Sequence, residues 1–177
     1  GTATILGKLG GTIANALSDA TPDVAAVEEA ELLEVAENGI VGSFAGRGYA
    51  IGTDEFLTGY GLSVSRYFDD NFLNSTPGGA VLHIAVDGKE ALKLYLSYRV
   101  SEGFAEMARE LSERNVRMIF RCSDPCVNDT LITALVGELS SPITLLKTQS
   151  EDAYGEGSEK NEDGDGKESA ENYLKII

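Results

Sequence analysis

The run from Val116 to Cys126 reads Val-Arg-Met-Ile-Phe-Arg-Cys-Ser-Asp-Pro-Cys, an apolar stretch that stops at Ser123-Asp124-Pro125 and hands over to a helical pattern. A strand that feeds a helix start leaves backbone N–H groups unpaired and backed by the positive end of the helix dipole, an arrangement that suits an anion. The same residues also serve an ordinary cap. Asp124 as N-cap and Pro125 at the first helical position both have purely structural uses. On local pattern alone the capped helix is the plainer reading.

The flanking sequence extends the pattern. Residues 101–114 carry Phe104, Met107, Ala108 and Leu111 on one helical face, and Asn115 can end that helix. Residues 116–120 predict a strand, residues 125–139 a helix with Val127, Leu131, Leu135 and Leu139 on its core side, and residues 142–147 another strand. Helix, strand, helix, strand is the pattern of a parallel α/β layer with right-handed crossovers.

The first half reads differently. Residues 81–86 and 89–98 flank Asp87-Gly88, a dipeptide that accepts the positive φ angles of a tight hairpin, and Gly39–Phe44 and Arg47–Gly52 flank Ala45-Gly46 in the same way. Residues 54–61 predict a short helix. Residues 3–17 carry a helical stripe weakened by Gly7, Gly10 and Gly11, and residues 24–35 form a short helix or a loop that enters a strand. Residues 63–74 fit no single pattern. The expected class is α/β, with an antiparallel hairpin-rich subdomain over residues 1–98, a partial parallel α/β layer over 99–150, and an acidic tail over 151–177.

Charge narrows the partners. A net charge of −15 argues against nucleic acid, whose phosphates need a basic face. The tail holds nine acids against three lysines and reads as a solvated linker. Its Glu162-Asp163-Gly164-Asp165-Gly166 lacks the flanking helices of a calcium loop. No stretch approaches the roughly 18 to 20 apolar residues that span a bilayer, and no signal-peptide pattern opens the chain. Cys122 and Cys126, the two cysteines, fit a reducing compartment. Near a helix N-terminus Cys122 should be acidified and reactive, yet the pair makes a poor zinc site without further ligands, so no metal site is expected. The lone His83 reads as a strand-face residue and Lys147 as a surface lysine. Arg117 and Arg121 either meet an anion or pair with Glu113 and Asp124.

Residues 37–57, which run Glu37-Asn38-Gly39-Ile40-Val41-Gly42 and on to Gly52-Thr53-Asp54-Glu55-Phe56-Leu57, resemble the nucleotide-binding domain of P-type cation-transporting ATPases of the heavy-metal branch. There a glycine-x-glycine turn leads through a hairpin to a G-N-x-x-F-L helix start. The Asp87-Gly88-Lys89 hairpin, the helix after Arg99 and residues 116–125 are similar to the return into the phosphorylation domain, which is haloacid dehalogenase-like. The resemblance covers residues 30–140 in consistent order. It implies the soluble, cytoplasmic-side portion of a membrane protein with transmembrane segments on its flanks, and ATP with Mg2+ as ligands. It further implies Gly39 and Gly42 beside the nucleotide, and Cys122, Ser123, Asp124 and Lys147 on the phosphate side.

The departures bear on activity. The family's D-K-T-G-T motif is absent, and at the position of T-G-D-N only Asp124 is kept. A thiol at Cys122 is a much weaker donor than the hydroxyl it replaces. Glu37 sets a carboxylate where a polyanion would approach. The histidine-proline pair is missing, and Asp163-Gly164-Asp165-Gly166 imitates a magnesium motif from within the tail. The expectation is a piece that does not hydrolyse ATP by itself and binds it weakly at most. The alternative is a non-catalytic regulatory or interaction module that keeps the fold. A small phosphatase of the same superfamily would need a nucleophilic aspartate on a first strand, and none is found.

Overall fold

Two tight turns organise the first half of the chain. β2 (Gly39–Phe44) returns as β3 (Arg47–Gly52) through Ala45 and Gly46 at φ 52° and 73°, and β4 (Gly79–Val86) returns as β5 (Lys89–Ser97) through Asp87 and Gly88 at φ 49° and 79°. These left-handed positions match the twist of paired strands, as the sequence suggested. β1 (Glu31–Ala36) precedes them, and all five strands form one antiparallel sheet in the order β1-β2-β3-β4-β5. The structure, a computed structural model, describes residues 1–10, 12–20 and 30–147. The expected tail over 151–177, with its calcium-like run, and residues 24–29 lie outside the described residues.

Alternation along the strands gives the sheet two buried faces. On one, Ile40, Ile51, Leu82 and Ile84 pack against Ile5, Leu6, Leu9 and Ile13 of α1 (Thr2–Leu9) and α2 (Thr12–Ala20). Each such side chain, when fully buried, contributes about 1.5–3 kcal/mol. The helical stripe over residues 3–17 is thus two helices, because Gly10 takes φ 68° and breaks the run. On the other face, Phe56 and Leu57 of α3 (Asp54–Gly59) cover Ala50 and Ala85. Thr53 caps α3, its hydroxyl accepting from the Phe56 amide at 3.3 Å. Residues 63–74, unassigned by pattern, supply an extended segment and α4 (Phe68–Asn74).

The second sheet is small and parallel. α5 (Glu102–Glu113) leads to β6 (Ile119–Cys122), α6 (Asp129–Val136) crosses over, and β7 (Thr144–Lys147) pairs with β6 from Ile119↔Thr144 to Cys122↔Lys147. Ala108, Met118, Val136 and Ile143 form its core, and Phe104 meets Phe120 edge-on at 5.5 Å. The α/β class, an antiparallel sheet beside a partial parallel layer, holds as expected.

One strand and one helix shift most from the sequence reading, and the strand read at 142–147 starts at Thr144. The strand expected at 116–120 is Ile119–Cys122, because its pairing with β7 fixes the register. The helix expected over 125–139 begins only at Asp129, with Asn128 as its cap: Asn128 Oδ1 accepts from the Leu131 amide at 2.8 Å. Asp124 is therefore not the N-cap, and Pro125 is not the first helical residue. The helix ends at Val136 rather than Leu139, since Gly137 turns to φ 86°.

Gly39 and Gly52 face each other across β2 and β3 and form a flat seat for the Phe56 ring. A Cβ at Gly39 would stand 2.1 Å from Phe56 Cδ1, and one at Gly52 would stand 2.5 Å from the same atom. Gly39→Ala should therefore lower stability by about 1–3 kcal/mol, the usual cost of overpacking. Gly103→Ala, in α5 with open space around it, should be neutral or stabilising by up to about 1 kcal/mol. Urea midpoints for the two variants provide the check. Equal losses at both sites would contradict the packing account.

Candidate functional site

At the strand-to-helix junction every polar group of Asp124 turns inward. Its Oδ2 accepts from the Tyr98 hydroxyl at 2.7 Å and its Oδ1 from the Cys126 amide at 2.9 Å. Its own amide donates to Cys122 Sγ at 3.3 Å, and Lys147 Nζ donates to its carbonyl at 2.6 Å. The carboxylate closes a turn ahead of the helix, a use that Asp favours because its short side chain reaches its own backbone two residues on. This is the physical reason the helix cap passes to Asn128.

The junction is a poorly hydrated place for charge. Burial raises the Asp124 carboxyl above the ordinary carboxylate range, although Tyr98, the Cys126 amide and Lys147 work against the rise. Burial likewise raises the Tyr98 hydroxyl, which the adjacent Asp124 raises further. Cys126 is pushed up to about 12 by burial and then by Asp124. Lys147 is lowered by burial, while Cys122, Asp124 and Glu37 pull the other way. Cys122 was expected to be acidified. It is raised instead, because burial outweighs the hydrogen bond from the Asp124 amide.

The structure thus brings Cys122, Asp124 and Lys147 together, with the Glu37 turn within electrostatic reach of Lys147. Lys147 is half-buried and engaged, not a free surface lysine. Ser123 is half-buried, and Arg117 before β6 and Arg121 within it are exposed. The Asp124 carboxylate is taken by Tyr98 and the Cys126 amide rather than by an arginine. The space beside Gly39 is filled by Phe56. The Glu31 carbonyl oxygen, at 2.8 Å, and Ile5 fill the space beside Gly42.

A second constellation escaped the sequence reading. In the β4–β5 register His83 faces Lys93 and Ile84 faces Leu92, but Ala85 faces Glu90, so Ala91 is an extra residue in the ladder. That bulge turns Glu90 onto the face that carries His83, Lys93 and Tyr95. His83 Nδ1 lies 2.8 Å from Glu90 Oε1, and Glu90 Oε2 accepts from both the amide and the hydroxyl of Ser65. Lys93 bonds the Ser65 carbonyl and Asp70, and Asp70 also accepts from the Tyr95 hydroxyl at 2.9 Å and the Tyr67 amide at 2.8 Å. Burial works to raise Glu90, but Ser65 and His83 outweigh it and hold the group ionised below its ordinary value. For Asp70, Lys93, Tyr67 and Tyr95 overcome burial and hold it at about 2. The network fastens α4 and the segment before it to the sheet. Only the bulge could have revealed it, and alternation in sequence does not show a bulge.

His83 also lines a cleft of about 360 Å3 between the start of α3, the end of α4, the first half of β4 and α6. Among the described residues no cluster of three or more His, Cys, Asp or Glu side chains is arranged to hold a metal ion. No helix among them is long and apolar enough to cross a membrane. Compared with protein-family models and with curated proteins, the chain matches none.

The raised Asp124 carboxyl has a consequence for stability. The folded state holds its proton more tightly than the unfolded chain, so stability declines as pH rises from the ordinary carboxylate value through the raised native one. Asp124→Asn keeps its one acceptor oxygen for the Cys126 amide, turns its NH2 to the Tyr98 hydroxyl, which can accept, and removes the ionisation. Relative to wild type, the variant should lose the downward slope across that window and be at least as stable at neutral pH. Urea midpoints measured across pH check this, and parallel curves for the two proteins would contradict it.

Proposed function

We propose that this chain is a catalytically silent derivative of the soluble region of a P-type cation-transporting ATPase, serving its parent membrane protein as a non-catalytic regulatory or interaction module. The observation that carries the reading is the inward closure of Asp124. The one residue kept from the family's phosphate motif spends its carboxylate on Tyr98 and the Cys126 amide, and the helix starts beyond it at Asp129. A free phosphate would need those donors and would meet a carboxylate in the same place.

The nucleotide side supports the same reading. Gly39 and Gly42 are glycines that internal packing already requires, with Phe56 and the Glu31 carbonyl where a ligand would approach. A parallel sheet of two four-residue strands is also well below the usual size of such sheets, which supports its origin in a larger phosphorylation domain. ATP and Mg2+ therefore belong to the ancestry in this reading, and flanking transmembrane segments to the parent protein.

The test is an ATP–Mg2+ titration followed by amide NMR, with a parallel assay for released phosphate. No saturable shift at Gly39, Gly42 or Lys147 up to millimolar nucleotide, and no phosphate release above buffer, is the expected result. A saturable shift at those residues or turnover would overturn the silent-module reading.

A further inference from the structure

α4 turns two phenylalanines to solvent. Phe68 is 82% exposed and Phe72 64% exposed, and at i and i+4 they are neighbours on the helix surface. Tyr67 before the helix and Tyr95 on β5 are also more than half exposed. The inner side of the same helix is firmly fixed. Asp70, two residues from each phenylalanine and so on the opposite face, is buried. It accepts from the Tyr67 amide at 2.8 Å, from the Tyr95 hydroxyl at 2.9 Å and from Lys93. Lys93 Nζ also stands 4.4 Å from the centroid of the Tyr67 ring. A buried ion pair thus holds the helix that presents the phenylalanines, so a partner would meet them already ordered.

Uncovered rings grouped in this way mark a contact surface, and charge sets the sign of the partner. Asp69 is exposed beside Phe68, is i+3 from Phe72 and lies within electrostatic reach of the Tyr95 hydroxyl. It has no ion pair among the described residues. The nearby cations are engaged, Arg66 by both oxygens of Asp54 and Lys93 by Asp70. The faces of aromatic rings attract cations as well. The whole chain carries −15, which repels a second copy and an anionic membrane surface and draws basic partners in.

We infer that the outer face of α4 is a docking surface for a basic amphipathic helix of a partner protein, with its apolar side chains on Phe68 and Phe72 and its lysines or arginines beside Asp69. The inference rests on the interaction-module reading and names that module's contact.

The experiment titrates the full chain with a short helical peptide of leucine and lysine and follows the rings of Phe68 and Phe72 and the amide of Asp69 by NMR. The same peptide with glutamate in place of lysine, a lysine–glycine peptide, and phosphatidylcholine vesicles with and without phosphatidylserine are the comparison arms. A saturable shift with the leucine–lysine peptide alone is expected. It should weaken about fivefold or more in Phe68→Ala and Phe72→Ala, and about two- to fivefold in Asp69→Asn. Leu146→Ala, at an exposed leucine on β7, should bind as wild type does. All four side chains are exposed, and urea midpoints check that each variant is folded.

Absence of a saturable shift, an equal shift with either comparison peptide, or unchanged affinity in both phenylalanine variants would overturn the proposal. So would an equal loss in Leu146→Ala, vesicle binding that Phe72→Ala abolishes, or a dimer in sedimentation that the same variant dissociates. No peptide binding together with no nucleotide shift would remove this surface and leave the silent-module reading standing. Nucleotide shifts at Gly39, Gly42 or Lys147 would count against that reading and leave the peptide result to stand on its own arm.

Discussion

The hydrogen bond from Tyr98 to Asp124 joins the end of the antiparallel sheet to the beginning of the parallel one. Tyr98 follows the last residue of β5, and its own amide is tied to the Gly78 carbonyl at 2.7 Å. The phenol is therefore fixed before it meets the carboxylate. Once Asp124 is held there, its second oxygen closes on the Cys126 amide, Cys126 enters the core of the first sheet, and α6 cannot start until Asn128. The cleft wall formed by α6 follows from that delay. One part-buried hydrogen bond thus sets the join between the two layers, the helix start and the α6 wall of the cleft beside His83.

Much of this was legible in the sequence, and the reasons are local. Asp87-Gly88 declares its turn because few dipeptides accept left-handed angles at both positions, and Gly46 marks the other, where Ala45 takes φ 52° beside it. The stripe of Phe104, Ala108 and Leu111 declares α5 because one helical face must be apolar to pack. Both signals act within a few residues, and both hairpins and the helix stand where they were read. The order of elements after Arg99 also emerged correctly, since a strand, a crossover helix and a parallel strand leave little topological choice.

What was illegible depended on contacts distant in sequence. Asp124 and Asn128 are both good caps on propensity, and nothing local says that a tyrosine twenty-six positions upstream will claim the first of them. Cys122 followed a sound rule about helix N-termini, but the helix began too far away for the dipole to matter and burial decided the sign. The expected surface lysine, Lys147, is drawn to the Asp124 carbonyl by the parallel register of β7 against β6, a pairing that no pattern of apolar residues specifies. His83 was read as a strand-face residue, which it is. Its chemistry comes from Glu90, and Glu90 reaches it only through one inserted residue.

Glycines show how a family likeness and a packing requirement can lead to different accounts of the same positions. Gly39 invites comparison with a nucleotide-binding turn because a missing Cβ lets a ligand approach the backbone. Here the missing Cβ lets Phe56 approach, and the ring lies across Gly39 and Gly52 together. That ring is part of the core that holds α3 on the sheet, and α3 carries Asp54 and Glu55 to the cleft. Filling the glycine seat with the protein's own side chain thus removes room for a polyanion beside Gly39 and anchors the two carboxylates that precede the ring at the start of α3.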